Sequence, residues 1–582
     1  MKSILRLISR VAFAIASVAA LLAHAADTKD VIMRAMTDEL ARTTTQLKLE
    51  NNASPYFAAY QVVESENNSY SASFGALQTR DRVRSPRRVA TVELRVGTPQ
   101  FDQTYYLTNS NNAPFGTSFT TSLPLDDNYL EIRRQLWLAT DNAYKRSTDW
   151  LAKKKAALQN KTRPDDAGDF TAEPPTQTTD YRPELVVDQT AAEQLVRELS
   201  AVFREFPAVN NSSASLSVSE STTRYVNSEG TIYTRRDSGL FLTLTALGQA
   251  PDGRNVADAS TSVVRTMADL PPKAKLLADA RALGQRITDL AAARLPESYN
   301  GPVLFEAEAT AEVFLQVFIP RIVAMKRPVV GSQQFAGYLS MAENPFQDKI
   351  GARVMPTFLG LTDEPRRTEF NGTPLFGTAE TDDEGVPTRR IALVEAGRIK
   401  TLLTDRVPTP GLLKSTGSRH GGGPFPSNLI VTASETMTAA ALRAELLKLA
   451  QLRGRDYGIV VRRVARPMFR NLLENPTMPD RTSGRIEPAV EAYKVYADGH
   501  EERLRNAEIS SLTLSAFKDI AAAGQDPIVY NSPLSVMRVA GQGSSEVISL
   551  VVPAMIFDDI TIKPPANEAS RPMISPHPYF AK

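Results

Sequence analysis

Apolar and polar positions change rhythm several times along this chain. Between Asp27 and Glu50, Val31, Met36, Leu40 and Leu47 recur among polar residues at helical spacing, which predicts a helix. Tyr60–Val63, Tyr70–Phe74 and Val89–Val96 instead alternate, the pattern of antiparallel strands with one wet face. Helical spacing returns over Glu131–Leu158, closed by Lys153-Lys154-Lys155, cations that suit a helix C-terminus and are expected in solvent. Lys161–Pro183 is rich in Pro, Thr and Asp, has no period, and predicts an exposed loop or insertion. Thr190–Phe206 and the Ala- and Leu-rich Pro272–Arg294 predict two more helices.

Turn residues place three hairpins. Arg224–Thr234 folds back at Asn227-Ser-Glu-Gly230, whose glycine can take a positive φ. Arg390–Glu395 turns at Ala396-Gly397 into Arg398–Leu403, and Ala492–Tyr496 turns at Asp498-Gly499. The 272–294 helix closes at Leu295-Pro296, and Asn300-Gly301-Pro302 opens a new strand, Val303–Phe305. A domain boundary is expected there. Residues 26–298 would form a mixed helix and antiparallel-sheet domain, with an insertion near 161–183. Residues 299–582 would form a β-rich, barrel-like antiparallel domain, whose clear helix is Thr438–Leu452 with Thr438 as N-cap. The fold class predicted is α+β.

The first 25 residues follow a different logic. Lys2, Arg6 and Arg10 precede an apolar run, Val11–Ala23, and Ala23-His24-Ala25 offers small residues at the positions a signal peptidase reads. Cleavage is expected before Ala26, with export to a periplasmic or secreted location. The apolar run is short of the ~20 residues of a span, and no other stretch approaches that length, so the mature chain is expected not to span a membrane. The formal charge is 67 − 65 = +2, and loss of the leader's three cations brings it near −1. No basic field therefore argues for nucleic acid. With no cysteine, disulfides, thiolate-held zinc, iron–sulfur clusters and thiol nucleophiles are excluded.

Catalytic motifs are sparse. His420, His500 and His577 are far apart, and no His-Glu-x-x-His exists to put two imidazoles on one helix face. Glu308 and Glu312 share a face at i, i+4; two carboxylates alone suit hard cations better than zinc, and the plain reading is a pair of helix-surface acids. Together with His420 they are the candidate metal ligands. Ser515-Ala-Phe-Lys518 matches Ser-x-x-Lys, but no Ser-x-Asn or Lys-Thr-Gly follows it. His420-Gly-Gly-Gly423 is not a phosphate loop, and it reads as a tight inter-strand loop. Asp382-Asp-Glu-Gly385 lacks the alternate ligands of a calcium loop and reads as a turn. By motif alone, no reaction is named.

The order of landmarks carries more. Asp382–Asp405, an acidic-Glu-Gly turn followed by a strand, a Glu-x-Gly hairpin and a return strand reaching Asp-Arg, resembles the central signature of the TldD/PmbA family. Tyr225–Gly230 resembles its Asn-Ser-x-Gly hairpin, Lys414–Leu429 its Ser-Thr-Gly…Gly-Gly…Asn-Leu loop, and Val490–Gly499 with Asp519-Ile520 its last hairpin region. The clear match covers about 300–560. The resemblance implies a dimer enclosing a cavity, shaped here by Asp383, Glu384, Gly385, Gly421, Gly422 and Asn428. It also implies peptide cleavage by a zinc held on a His-Glu-x-x-x-His helix and a later cysteine. The segment in that helix's position, Glu306–Phe318, has no histidine, and the cysteine does not exist. No catalytic residue is transferred and no cofactor is expected. The expectation is a PmbA-like, non-catalytic subunit that binds peptide beside a TldD-like catalytic partner or as a homodimer. A peptidase with another metal set and an envelope scaffold are the alternatives.

Overall fold

The computed structural model describes residues 29–580 apart from 49–53, 82–85, 108–117, 160–162, 164, 183–184, 332–342, 473–478, 481, 538–542, 570 and 576. The predicted leader and its cleavage before Ala26 lie outside the described residues.

The alternating segments of the first half become one sheet. Its strands are β1 (Phe57–Ser73), β2 (Ala76–Asp81), β3 (Arg87–Arg95), β4 (Ser118–Ser122), β5 (Gln177–Tyr181), β6 (Val209–Asn227), β7 (Ile232–Gln249) and β8 (Asn255–Val264). They lie in the order β8-β7-β6-β1-β3-β4, with β2 on β1 and β5 on β7. Pairing is antiparallel except for β5, which joins β7 in parallel. The two alternating stretches around Tyr60 and Tyr70 are a single 17-residue strand; no Gly or Pro interrupts it, and Asn67 and Asn68 pair with Ser219 and Val218 of β6.

Period-two alternation decides which face each side chain takes. At one end of the sheet Tyr60, Val62, Ala90 and Val92 pack under α1 (Val31–Gln46) and α2 (Tyr129–Leu158). At the other end Tyr70, Ala72, Leu216 and Leu242 pack under α3 (Gln189–Ala201) and α4 (Lys273–Ala292). Asp30 caps α1 by accepting from the amides of Ile32 and Met33. Both cores lie on one face of the sheet. The opposite face carries Gln61, Val63, Ser221, Thr223, Arg235 and Asp237, and the register sets Val63 beside Thr223 beside Arg235. That polar face looks at the second half.

The second half has two large sheets among its described residues. Its strands are β9 (Tyr299–Phe305), β10 (Leu359–Asp363), β11 (Ile391–Glu395), β12 (Arg398–Ile399), β13 (Asn428–Ala433), β14 (Tyr457–Val464), β15 (Ala489–Tyr496) and β16 (Glu501–Leu504). They continue with β17 (Glu508–Ser510), β18 (Ile520–Ala523), β19 (Ile528–Met537), β20 (Gly543–Val552) and β21 (Met555–Lys563). One sheet runs β16-β15-β14-β9-β21-β17 with β18 on β21, and the other runs β12-β11-β10-β13-β20-β19. Val303, Phe305, Leu361, Val431, Leu550 and Phe557 join the two sheets in one core. Among the described residues α5 (Ala307–Val313) and α6 (Ala439–Leu452) accompany them, the latter capped by Thr438 as predicted. The class is α+β with largely antiparallel sheets.

Two expectations are corrected. Lys154 is not in solvent; it is 1% exposed, and its ammonium donates to Asp102 O (2.9 Å), Thr104 O (2.8 Å) and Asp169 Oδ2 (2.8 Å). Its neighbours Lys153 and Lys155 are exposed, as helical geometry requires of adjacent positions. Nor is 161–183 a free loop. Ala167, Asp169 and Phe170 are buried, and Asp169 also meets Arg163 and, from the second half, Lys326. Farther on, β5 adds a strand to the sheet. The segment lacks a period because its burial comes from long-range charge pairs rather than from an amphipathic element.

Removing Lys154 leaves carbonyls and part of Asp169 buried without their donor. Lys154→Met is expected to cost about 3 kcal/mol of unfolding free energy, against under ~0.5 kcal/mol for Lys153→Met, measured by urea unfolding. Equal, small effects would refute the buried placement.

Candidate functional site

Between the polar face of the first sheet and the loops of the second half lies a cavity of about 420 Å³. This is within the range of roughly 300–1,000 Å³ typical of small-ligand sites. Gln61, Val63, Ser221, Thr223 and Arg235 form the sheet wall; Phe376–Ala379, Asp383, His420, Gly421 and Phe425–Ser427 come from the other side, with Glu546 and Val547.

The Asp382–Gly385 turn is held by its own carboxylates. Asp382 Oδ1 accepts from the amides of Glu384 and Val386, both at 2.9 Å, and Oδ2 from the amide of Arg419 at 3.1 Å. Glu384 accepts from the Arg406 amide at 3.1 Å and meets the Arg419 guanidinium at 3.3 Å, which also reaches Asp405 at 3.2 Å. Burial raises the carboxyls of both Asp382 and Glu384, with Arg419 opposing the rise at Glu384. Asp383 differs. Burial pushes its carboxyl up, but Arg235, His420 and the Gly421 amide outweigh burial and hold it below the usual range. Arg235 Nη2 lies 2.8 Å from Asp383 Oδ1, the Gly421 amide donates to Oδ2 at 2.6 Å, and His420 Nδ1 is 3.9 Å away.

The turn abuts the first half. Gly385 has φ +76°, and a Cβ there would lie 2.4 Å from Thr231 Cγ2, beside the Asn227–Gly230 hairpin. Arg406, 1% exposed, reaches Glu229 in that hairpin at 2.7 Å, donates to Thr171 O, and lies over the rings of Phe57 (5.0 Å) and Phe170 (4.1 Å). So the acidic turn and the Asn227–Gly230 hairpin, both singled out in the sequence, meet.

The six residues expected to shape a cavity are thus distributed. Asp383 and Gly421 stand on the wall, with His420 between them in a short hairpin, Arg419–His420 against Gly423–Pro424, that has Gly422 at its tip. Glu384 and Gly385 lie behind the wall, in the junction. Asn428 is fully buried; its Oδ1 accepts from the Gly377 amide (2.9 Å) and its Nδ2 donates to Arg367 O (2.9 Å), so it positions the Phe376–Ala379 loop.

Other residues of the cavity are not among the candidates the sequence offers. Arg235 and Arg182 both pair with Asp237, at 2.8 and 2.9 Å. Arg265 donates to Leu375 O and Phe376 O at 3.3 and 3.5 Å and lies 4.8 Å over the Phe376 ring. Burial, with Arg182 nearby, pulls it down to about 10. Glu546 is open to the cavity, yet desolvation by the walls and the charge of Asp383 push its carboxyl up to about 7. Alternation in the 232–249 arm could have flagged Arg235 and Asp237 as facing together; nothing local flags Arg265 or Glu546.

The candidate metal ligands are not gathered. Glu308 and Glu312 stand together on α5, while His420 sits at the cavity wall with Asp383. Glu308 lies 3.2 Å from Arg463 and 3.6 Å from Arg466. Glu312 is not a surface acid: it is 2% exposed, accepts from Tyr530 Oη (2.5 Å) and Gln316 Nε2 (3.1 Å), and has Arg466 at 3.8 Å. Desolvation raises its carboxyl, with Arg466 opposing. Among the described residues no group of three or more His, Asp or Glu could hold a metal ion. Two guanidinium groups already neutralise these carboxylates, and zinc would need nitrogen or sulfur donors that α5 lacks, so the residues present do not fit it.

Comparison with known proteins adds the following. The PmbA/TldA metallopeptidase central domain matches residues 182–295, and the C-terminal domain of the same family matches 298–564. No curated protein matches in sequence. Among solved structures, a proposed modulator of a DNA gyrase from Thermotoga maritima is 16% identical, with TM-score 0.56, covering 87% of this chain and 96% of its own. TldE from Thermococcus kodakarensis is 14% identical, with TM-score 0.55 and coverage of 87% and 97%. A proposed modulator of DNA gyrase from Bacteroides thetaiotaomicron is 13% identical, with TM-score 0.55 and coverage of 91% and 98%. At these identities the likeness is one of fold.

Two outcomes test the junction. Gly385→Ala is expected to destabilise by about 1–3 kcal/mol, through both clash and backbone strain; adding Thr231→Ser should recover only the clash. Full independence of the two substitutions in a double-mutant cycle would contradict the contact. Asp363, 1% exposed beneath the Ser427 amide, has its carboxyl pushed up to about 7 by burial. A folded value above the unfolded one means stability present at low pH and lost as pH rises from about 4 to 7. Asp363→Asn should therefore gain on the wild type across that window, by on the order of 2–4 kcal/mol, and level off above it. Parallel pH curves for the two proteins would refute the assignment.

Proposed function

The chain belongs to the PmbA/TldD metallopeptidase family, and from that premise we propose that it serves peptide proteolysis as a non-catalytic subunit. It binds short peptides in the cavity between its halves and completes the cavity of a zinc-bearing, TldD-like partner; a second copy of itself is the alternative partner. The observation that carries this reading is on α5. Where the family resemblance puts the metal helix, Glu308 and Glu312 are committed to Arg463, Arg466 and Tyr530. A pure scaffold would be expected to fill the cavity with the 161–183 segment. Instead that segment packs at the junction and contributes β5, and the cavity stays open, walled by three arginines, three carboxylates and a histidine. In this reading the mature protein begins at Ala26 and works in the cell envelope or outside it. No helix among the described residues is long and apolar enough to cross a membrane.

The test is peptide cleavage by the purified mature chain, alone and after co-expression with a TldD-like subunit from the same organism. Alone it should show no chelator-sensitive cleavage; with the partner it should co-purify and change cleavage rate or peptide preference. Chelator-sensitive turnover by the chain alone would overturn the proposal. N-terminal sequencing of the exported protein should start at Ala26, and retention of residues 1–25 would remove the assigned location.

A further inference from the structure

The charges in the cavity are not all compensated. Arg235, Asp237 and Arg182 form a closed chain of ion pairs, and Arg235 also holds Asp383. Two groups stand outside it. Arg265 has no carboxylate within 4 Å among the described residues; only one nitrogen of its guanidinium is engaged, by two carbonyls at 3.3 and 3.5 Å, the long end of hydrogen bonding. Glu546, on the same cavity, has no hydrogen bond and no ion pair among the described residues.

They come from different elements: Arg265 follows β8 of the first sheet, whose Val264 pairs with Leu240, whereas Glu546 lies on β20 of the second half, and the Arg182–Asp237–Arg235–Asp383 chain lines the same cavity. Both lone groups are held in place. Phe376 lies under the Arg265 guanidinium, and the Phe376 amide donates to Ser549 Oγ at 2.7 Å. The next amide, Gly377, is fixed by Asn428, and a Cβ at Gly377 would meet Ser427 O at 2.2 Å. Glu546 is anchored by the pairing of β20 with β19, opposite Leu534. A pre-oriented, unpaired guanidinium recognises a planar carboxylate with two parallel donors, and an unpaired carboxylate accepts from an ammonium.

We infer that the cavity takes short peptides by both free ends, the terminal α-carboxylate seated on Arg265 and the terminal ammonium on Glu546. The chain between them runs over Ser221, Thr223 and Gln61, whose uncharged polar groups place no demand on side-chain identity. This assignment rests on the peptide-binding reading above and narrows it to short products with intact ends, excluding internal segments of a long chain.

The probe is a pool of tripeptides randomised at every position, in three forms: free, C-terminally amidated and N-acetylated. Binding to the mature full-length protein is read by affinity-selection mass spectrometry and calorimetry. The free form should bind, and amidation should weaken binding about tenfold or more, the loss expected for one charge-assisted pair. Arg265→Gln should bind the free and amidated pools alike, while Glu546→Gln should lose only the penalty for acetylation; thermal unfolding checks that both variants fold. Equal binding of free and amidated peptides by the wild type would overturn this assignment and leave peptide binding standing. Binding of none of the three pools, with or without the partner subunit, would overturn both.

Discussion

A fully buried guanidinium cannot be left unpaired, and Arg406 satisfies that requirement across the two halves of the chain. It is carried by the loop after β12, yet its partners are Glu229 and the Thr171 carbonyl, and its faces are covered by Phe57 and Phe170. While the halves stay packed, losing Glu229 would leave this cation buried and unpaired, so the pair fixes how they meet. Asp169 repeats the constraint from the other side, holding Lys154 of the first half and Lys326 of the second. The relative placement of the two halves follows from these two charges, and so does the space between them.

That space is where the chemistry gathers. The Asp382–Gly385 turn is pinned by its own acids, so Asp383 arrives at the cavity as a fixed anion paired with Arg235, and Asn428 fixes the loop that carries Phe376. At α5 the carboxylates of Glu308 and Glu312 are taken up by Arg463, Arg466 and Tyr530, while Arg463 Nε and Arg466 Nη1 stay buried without a hydrogen-bond partner among the described residues. Family membership and local chemistry therefore point in different directions for this chain: it belongs to a metallopeptidase family, while residues 306–318 contain no histidine and the sequence no cysteine.

Much of the architecture was legible in the chain. The hairpins at Asn227–Gly230, Ala396-Gly397 and Asp498-Gly499 fall where glycine and its neighbours put them, and the helices at 129–158, 273–292 and 439–452 follow their apolar spacing. What was not legible shares one physical cause. Lys154 meets Thr104 50 residues away, Glu312 meets Tyr530 218 residues away, Arg406 meets Thr171 235 residues away, and Phe170 lies against Arg406 and Phe57, while composition around all four reads as surface. The acidic turn and the His420 loop were visible as unusual residues, but their meeting with Arg235 depends on how two sheets face each other. Arg265, just past β8, and Glu546, in β20, lie in ordinary sequence, and only the tertiary arrangement makes them lone charges. Sequence pattern reports local geometry; it cannot report which charge finds a partner.

The account stands on the claim that α5 holds ion pairs in place of a metal. Its most direct test is zinc content of the mature chain, measured by mass spectrometry after incubation with excess zinc and gel filtration. The account predicts zinc far below stoichiometric, unchanged in Glu308→Gln and Glu312→Gln variants. Stoichiometric zinc that is removed by chelator and lost in those variants would contradict it.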